Sequence, residues 1–476
     1  MQKLPSVVLC IGFTILIASV IIGYLVVPQV INNKIAQQVR IVNGSETFQR
    51  WQDVPLPIYV KFHLFNVTNA NEVVSGAYPK LVEVGPYTYL QKRKKVDITF
   101  HEENDTVSYR QIMSYHFQPH LSNGSLNDTV TVINLPFLGM AHRAAAMGVM
   151  SRYLLVEYLK DETIFVNKTV DEMLFKGYHV DLMTQLSSFT GIQYLPNDTF
   201  GLQYGKNNSD QGLYEVFTGV QDTDKFGIVA SWNGSPDMPW WEDDNCKKIK
   251  GTDGSIFPPF VTTDRQLDMF SADLCRSLRL LYEKDSEVRG INSYRFTVDP
   301  TVLEDPIFNR DNMCYCTQQG DRFDRCPKTG AYQLNACRKE TPLLVSLPHF
   351  LGGSEEYLNH SGLTPDRKLH ETFVELEPNT GLLLKAAKRI QINIELRAFK
   401  FIKQLRKLPK MLLPVVWVDE SVMMTEVGAE RIQGKLLNPK SMAQYGSWGG
   451  ILLGLIIIVV ATVIYLLRAR RKNYAT

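Results

Sequence analysis

Two apolar stretches without a single charge bracket this chain, and they constrain it more than anything that lies between them. Val7 to Val27 is dominated by Val, Ile and Leu, and Gly446 to Leu467 carries the run Ile451-Leu-Leu-Gly-Leu-Ile-Ile-Ile-Val-Val460 before stopping at Arg468-Ala-Arg-Arg-Lys472. As helices at about 1.5 Å per residue, each is about 31–33 Å long, which matches the hydrocarbon core of a bilayer. All 49 acidic residues of the 476 lie between Pro28 and Tyr445. Of the 51 basic residues only Lys3, Arg468, Arg470, Arg471 and Lys472 lie outside, so the middle holds 46 against 49. The formal +2 is therefore an average over a mildly acidic middle and short basic ends.

Lys3 and the Arg468 to Lys472 cluster put both tails on the cytosolic side by the positive-inside rule. A cleavable signal sequence is the competing reading of the first stretch, but its apolar core is typically about 7–15 residues and is followed by a small-x-small site. Neither fits. The expected layout is a cytosolic tail over 1–6, a transmembrane helix over 7–27, a lumenal or extracellular domain over 28–445, a second transmembrane helix over 446–467 and a cytosolic tail over 468–476. The whole chain is 45% hydrophobic and 11% aromatic, which excludes disorder, and the near-neutral balance of the middle excludes a generic polyanion or nucleic-acid binder.

Sequons test the topology independently. With 25 Asn and 54 Ser plus Thr, chance gives about three Asn-x-Ser/Thr sites. There are ten, at Asn43, Asn66, Asn104, Asn123, Asn127, Asn167, Asn197, Asn207, Asn233 and Asn359. All lie between the apolar stretches, as expected of a glycosylated domain that passes through the secretory lumen. Six of the seven cysteines, Cys246, Cys275, Cys314, Cys316, Cys326 and Cys337, cluster in 246–337. An even set in a lumenal domain reads as three disulfides, and the spacing leaves every one of the pairings open. A metal site would need Cys-x-x-Cys or a nearby His, and Cys314-x-Cys316 has neither. Cys10, inside the first apolar stretch, is a palmitoylation candidate or an unmodified membrane thiol.

In the middle, strand patterns dominate. Ile390, Ile392, Ile394 and Leu396 alternate with polar neighbours, which predicts a half-buried strand. Ile58, Val60, Phe62 and Leu64 do the same, and Glu377-Pro-Asn-Thr-Gly381 reads as a turn joining Phe373–Leu376 to Leu382–Leu384. A large antiparallel sheet is expected, big enough to enclose a cavity. The exception is 139–188, where an Ala-rich stretch and Thr169-Val-Asp-Glu172, a capping box, predict a helical insertion. Its charges, five basic against six acidic, do not make a basic patch; the basic runs are Lys92 to Lys95 and Arg397 to Lys410.

Catalytic signatures are missing. There is no nucleophile elbow, phosphate loop or dinucleotide fingerprint, and His101-Glu-Glu-Asn and His370-Glu-Thr-Phe lack the second histidine of a zinc site. Glu242-Asp-Asp244 lacks the spacing of a calcium loop. The reading is a protein that is not an enzyme and carries no cofactor or metal.

Several motifs are recognisable together: Gly85-Pro-Tyr-Thr-Tyr89, Gly251-Thr-Asp-Gly254 with Phe257-Pro-Pro-Phe260, Cys275-Arg-Ser277, Tyr294-Arg-Phe296, Cys314-Tyr-Cys316, Ser346-Leu-Pro-His-Phe350, and Gly381 followed by Ala387-Lys-Arg389 and Gln391. With two terminal spans around them, the chain resembles the class B scavenger receptor family, of the fatty acid translocase and lysosomal integral membrane protein type. Asn207 to Gly212 with Val216-Phe-Thr-Gly-Val220 is similar to the high-density-lipoprotein receptor branch. The resemblance implies an α+β membrane protein with a large antiparallel β-barrel-like ectodomain, an apical helical bundle and two terminal transmembrane helices. It implies disulfides Cys246–Cys314, Cys275–Cys337 and Cys316–Cys326, and a tunnel that carries lipid toward the membrane. In fatty-acid-handling relatives an apical lysine binds the carboxylate, and Lys160 stands one residue out of register with it. Lipids, lipoprotein particles or lipid-carrying proteins are the implied partners.

Lys250 departs from the family pattern, and the tail from Arg468 carries no acidic dileucine signal, which favours the plasma membrane over the lysosome. Gly446, Gly450 and Gly454, and Ser19 with Gly23, form small-x-x-x-small faces that suit a homo-oligomer. The expected function is a cell-surface receptor that takes lipid from a docked carrier. The alternatives are a ligand-gated two-span channel, which would pass current, and an ecto-nucleotidase, which would need phosphate-binding segments.

Overall fold

A computed structural model describes residues 3–316, 326–338 and 341–473. The chain divides into two compact units, one of Met1–Arg40, Arg289–Ile291 and Met424–Thr476, the other of Ile41–Val288 and Asn292–Met423.

The first unit is built from the apolar ends. Helix α1 (Lys3–Ile21) runs through a π-helical turn at Ile22–Val26 into α2 (Val27–Gln38), and the C-terminal stretch forms one long helix, Asn438–Asn473. Both are long and apolar enough to cross a membrane, over Ser6–Gln38 and Ser441–Arg470. They pack closely because small residues meet. A Cβ on Gly454 would come 2.9 Å from the Leu16 nitrogen and 3.0 Å from the Gly12 oxygen, and one on Gly23 would lie 2.7 Å from Ser447 Cβ. Gly450 faces Ser19. The glycine faces expected to serve a homo-oligomer therefore join this chain's own two spans, with Gly446 alone among the three facing nothing within 4 Å.

The second unit is dominated by a 13-stranded antiparallel sheet. In chain order its strands are β1 (Ile58–Val67), β2 (Leu81–His101), β3 (Thr106–Phe117), β4 (Leu213–Phe217), β5 (Val229–Trp232), β6 (Leu267–Ser271), β7 (Arg276–Val288), β8 (Ile291–Val298), β9 (Ala331–Gln333), β10 (Leu343–Ser346), β11 (Phe373–Leu376), β12 (Leu383–Leu396) and β13 (Met411–Met423). Spatially they run β6-β7-β8-β11-β12-β13-β1-β2-β3-β4-β5, with β10 pairing β12 and β9 pairing β10. The sheet nearly closes on itself. Between β5 and β6 the gap is spanned by Gly251-Thr252: Val229 N–H donates to Gly251 O, and Thr252 exchanges bonds with Asp268 O and Phe270 N–H, at 2.8–3.1 Å. Gly251 has φ +82°, and a Cβ there would overlap the Asp268 carbonyl, so the motif that carries Gly251 needs glycine for the closure itself.

The predicted turn at 377–381 is present, with the Glu377 carboxylate accepting from the backbone N–H of Asn379 and Thr380. Strand β1 buries Ile58, Val60, Phe62 and Leu64 as its alternation predicts. Strand β12 follows its prediction in part: Ile394 and Leu396 are buried as expected. Ile390 and Ile392 keep part of their surface, whereas polar Gln391 and Asn393 are wholly buried. In the sheet β10 lies beside β12, pairing through Ser346↔Gln391 and Leu344↔Asn393, and the segment at His349 covers Gln391. There Asn393 Nδ2 donates to Ser346 Oγ at 3.0 Å, Gln391 Nε2 to Asn393 Oδ1 at 2.8 Å, and His349 N–H to Gln391 Oε1 at 2.8 Å.

The helical insertion runs somewhat wider than 139–188. It contains α3 (Leu135–Ala146), α4 (Val149–Leu159) and α5 (Asp181–Thr190), with a small hairpin of Thr129–Ile133 and Phe165–Thr169 beside them. Thr169 and Glu172 form the capping box, but the helix they start ends at Met173. Phe175 is therefore outside it. Cysteines pair as Cys246–Cys314, Cys275–Cys337 and Cys316–Cys326, with Cα separations of 6.2, 6.4 and 5.5 Å; Cys10 is free and exposed. Part of the predicted disulfide region, 317–325, lies outside the described residues.

Candidate functional site

Two features of the second unit offer a place for a ligand. The first is an exposed apolar surface on the insertion. Val149, Met150 and Tyr153 of α4 are 82%, 75% and 72% exposed, and Phe189 and Ile192, at and just beyond the end of α5, join them. On a monomeric domain such a cluster marks a surface made to be covered. Lys160, the predicted ligand residue, closes α4. It is exposed and ion-paired with Glu157 on the same helix, which raises its pKa.

Next to these helices lies a basic loop that sequence order hides. Within 397–410, Phe399, Ile402, Leu405 and Leu408 are buried in the same apolar cluster as α3, α4 and α5. Gln404 Nε2 donates to Leu159 O at 3.1 Å, and the Arg152 guanidinium lies 5.1 Å over the Phe401 ring. The apolar residues of the loop are anchors, so Lys400, Lys403, Arg406, Lys407 and Lys410 are all left exposed. Counting 139–188 alone suggested a near-neutral surface. With the loop in place the balance is eleven basic against six acidic, a correction that only tertiary contact supplies. By contrast the Lys92 to Lys95 run is split by strand alternation: Lys92 and Lys94 point out, Arg93 and Lys95 point in.

The second feature is the inside of the sheet. Lys388 on β12 reaches Ser271 Oγ, at the end of β6, at 3.4 Å; β6 is four strands away, so the contact crosses the concave side. Register then puts Glu420, Val418 and Val416 of β13, Val60 and Phe62 of β1, and Tyr89, Gln91 and Arg93 of β2 on that side. At one end is an aromatic chamber, where Phe175 stands 5.9 Å from Phe62, 4.7 Å from Tyr89 and 5.0 Å from Tyr115 between ring centroids. Below it Arg93 Nη2 meets Glu420 Oε1 at 2.5 Å, and Gln91 Nε2 donates to the Tyr115 hydroxyl at 2.8 Å. Burial disfavours both charges of the pair, but their mutual attraction outweighs it: the Glu420 pKa is lowered and that of Arg93 raised. Farther along, Tyr109 donates to Asp253 at 2.7 Å, and Lys95, its pKa pushed down to about 8 by burial, donates to Trp51 O at 3.0 Å.

A filled barrel core would hide these inward side chains. Instead Arg93 and Glu420 keep 17% and 27% of their side-chain surface, and Tyr115, Phe117, Phe175, Lys388, Ile390, Ile392 and Val418 are all partly accessible. This part of the inward face keeps accessible surface, whereas Val60, Phe62, Tyr89, Gln91 and Val416 on the same side are buried.

Family comparison gives the context for this architecture. The model of the CD36 family matches residues 10–465. The chain belongs to the CD36 family. It is 32% identical over 463 residues to scavenger receptor class B member 1 of Rattus norvegicus, covering 95% of this chain and 88% of the relative. To lysosome membrane protein 2 of Mus musculus it is 32% identical over 412 residues, covering 86% and 84%. Its function is of the class B scavenger receptor kind, a receptor family rather than an enzyme family, and its two apolar terminal helices fit a two-span membrane protein.

Of the ten sequon asparagines nine are exposed; Asn66, in β1, is half-buried, with its side-chain oxygen accepting from Thr131 N–H at 2.8 Å. The charged loop at 397–410 was visible in sequence as a basic run, and its buried Phe399, Ile402, Leu405 and Leu408 were the signal that it is anchored. The interior Arg93–Glu420 pair had no such signal, since its partners are 327 residues apart.

Proposed function

We propose that this chain is a cell-surface receptor that docks lipid-coated particles through the insertion and the basic loop, then takes lipid into the sheet interior for passage to the membrane. The observation that carries it is the accessible inward face, apolar over Ile390, Ile392, Val418 and the aromatic chamber. A lipid moving there is spared about 0.8 kcal/mol for each CH₂ otherwise exposed to water, and no covalent chemistry is required. At the docking surface, each large apolar residue sunk into a lipid monolayer contributes about 1.5–3 kcal/mol, and each lysine near an anionic one about 1 kcal/mol. Lys160 belongs to this basic rim once Glu157 releases it.

In the same reading both tails are cytosolic, the plasma membrane is the site of action, the sequons carry glycans and Cys10 is palmitoylated. A homo-oligomer would have to use span faces other than the one joining the two helices. Uptake of a fluorescent lipid from lipoprotein by cells expressing the wild-type chain or Ile392→Trp tests the reading. Equal surface expression with uptake lost in the variant is expected; equal uptake would defeat interior transport.

A further inference from the structure

The loop at 397–410 is built on a period of three. Phe399, Ile402, Leu405 and Leu408 are buried, and the backbone N–H groups of Ile402, Leu405 and Leu408 each donate to the carbonyl of the anchor three residues before, at 3.2, 3.1 and 3.4 Å. Turns of three residues bring every third side chain back to the same side of a segment. Lys400, Lys403 and Arg406, each the residue after an anchor, therefore leave the loop on a common side, and Lys407 and Lys410 are exposed as well. Arg406 Nε donates to Lys400 O at 2.9 Å, which ties the ends of two turns together. The cations stand on a fixed backbone rather than on a floppy one.

Their charge is not used within the protein. From Leu396 to Val418 the sequence holds no Asp or Glu, and among the described residues none of the five cations has a carboxylate oxygen within 4.0 Å. Carboxylates on the neighbouring elements are engaged with other groups. Glu356, whose field reaches Lys410, is bonded to Lys328, Glu157 to Lys160 and Glu72 to Lys80, and Glu395 faces His142. Asp161 and Glu162 stand near Gln404, which donates to the Lys160 and Glu162 carbonyls, so the local excess stays positive.

What the strip lacks defines its partner further. It has no large exposed apolar side chain, and the partly exposed Phe401 lies under the Arg152 guanidinium. Nothing in it is shaped to sink into a lipid monolayer or to stack on a base. The side chains able to enter a monolayer, Val149, Met150 and Tyr153, are on α4 instead.

We infer that this strip is a binding site for a linear sulfated polysaccharide, whose anionic groups repeat along one chain as the cations do along the loop. The inference goes beyond the docking and transport reading: it needs the second unit to face the cell exterior, and it does not need lipid to enter the sheet. A dense linear polyanion carries condensed counterions, and their release on binding makes affinity fall steeply with salt. With about four of the cations engaged, the fall between about 50 and 200 mM salt is about a hundredfold.

The test measures binding of a fluorescent heparin decasaccharide, and of its desulfated form, to the full-length chain in nanodiscs of neutral lipid at those two salt concentrations. A second arm measures flotation of the same nanodiscs with phosphatidylserine vesicles. The strip variant is Lys403→Glu with Lys407→Glu; Lys92→Glu with Lys94→Glu, an exposed outward pair on β2, controls for net charge. The strip predicts that wild type binds only the sulfated chain, with the salt dependence above. The strip variant should bind it at least about tenfold more weakly, and the β2 variant within about twofold of wild type. No binding by wild type, or the same loss in both variants, overturns the inference. So does a strip variant that keeps its heparin affinity and loses the vesicles, which assigns the loop to a lipid surface. Ile392→Trp leaves the strip untouched, so its lipid uptake decides the transport reading separately.

Discussion

Over Ile390–Asn393 the two faces of β12 are inverted relative to an ordinary amphipathic strand, while Ile394 and Leu396 beyond them are buried. There the apolar side, Ile390 and Ile392, keeps accessible surface inside the sheet, and the polar side, Gln391 and Asn393, is buried by the segment around His349 and bonded to Ser346 of the neighbouring β10. A strand on a solid globule has the opposite arrangement, because only there is the apolar side the filled side. At this stretch of β12 the packed layer lies on the outside, whereas at Val60, Phe62 and Tyr89 it lies inside. Inside, Ile390 and Ile392 keep accessible surface; outside, a polar network and a histidine cluster pack against the strand.

If the outside is what holds this stretch, the largest loss comes from the network. Asn393→Ala removes the bonds to Ser346 Oγ and Gln391 Nε2 and leaves only the 3.4 Å contact between those two groups, so it should cost about 2–3 kcal/mol, read from guanidinium unfolding of the detergent-solubilised chain. A loss under about 1 kcal/mol would break the comparison.

The histidine cluster comes next. Glu83 accepts from His63 Nδ1 at 2.7 Å and from His349 Nε2 at 2.6 Å, while His349 Nδ1 faces Thr364 O at 3.0 Å. Both ring nitrogens of His349 thus face oxygen atoms. His370, 4.1 Å away between ring centroids, accepts the Asp366 N–H on Nδ1 and is neutral. Burial first and the His349 charge second push its pKa down to about 4. The unfolded chain takes up this proton near 6.5 and the folded one near 4, so stability falls with pH across that window. The loss amounts to about 3 kcal/mol by pH 4. Glu83, whose carboxyl the histidine bonds hold low against burial, adds a loss in the same direction at still lower pH. Melting curves from pH 7.5 to 4 check this, and His370→Gln should flatten the upper part of the profile.

The inner face should be more tolerant. Ile390→Ala removes a side chain that keeps accessible surface, and should cost about 1 kcal/mol where a packed core position would lose about 2–5. Smallest of all is Lys92→Met, on the outward side of β2, expected within about 0.5 kcal/mol in the same unfolding assay.

Much of this plan was legible in sequence. The uncharged ends, the alternation of Ile58 to Leu64 and the Thr169–Glu172 capping box are local patterns, and local geometry follows from them. The inversion at β12 was not legible, because alternation reports that two faces differ and says nothing about which one the rest of the chain will cover. Nor was the basic rim: charge was counted along 139–188, while the loop at 397–410 reaches α4 from more than 200 residues away. Lys388 stood in the Ala387-Lys-Arg389 motif from the start, but its inward direction depends on the register with Glu420.

The central claim is that the inside of the sheet is a compartment for lipid. Mass spectrometry of lipids that co-purify with the full-length chain, compared with Ile392→Trp prepared identically, tests it most directly. Stoichiometric lipid with wild type, lost when the tryptophan fills the interior, is the predicted result. The same lipid content in both proteins would contradict the account.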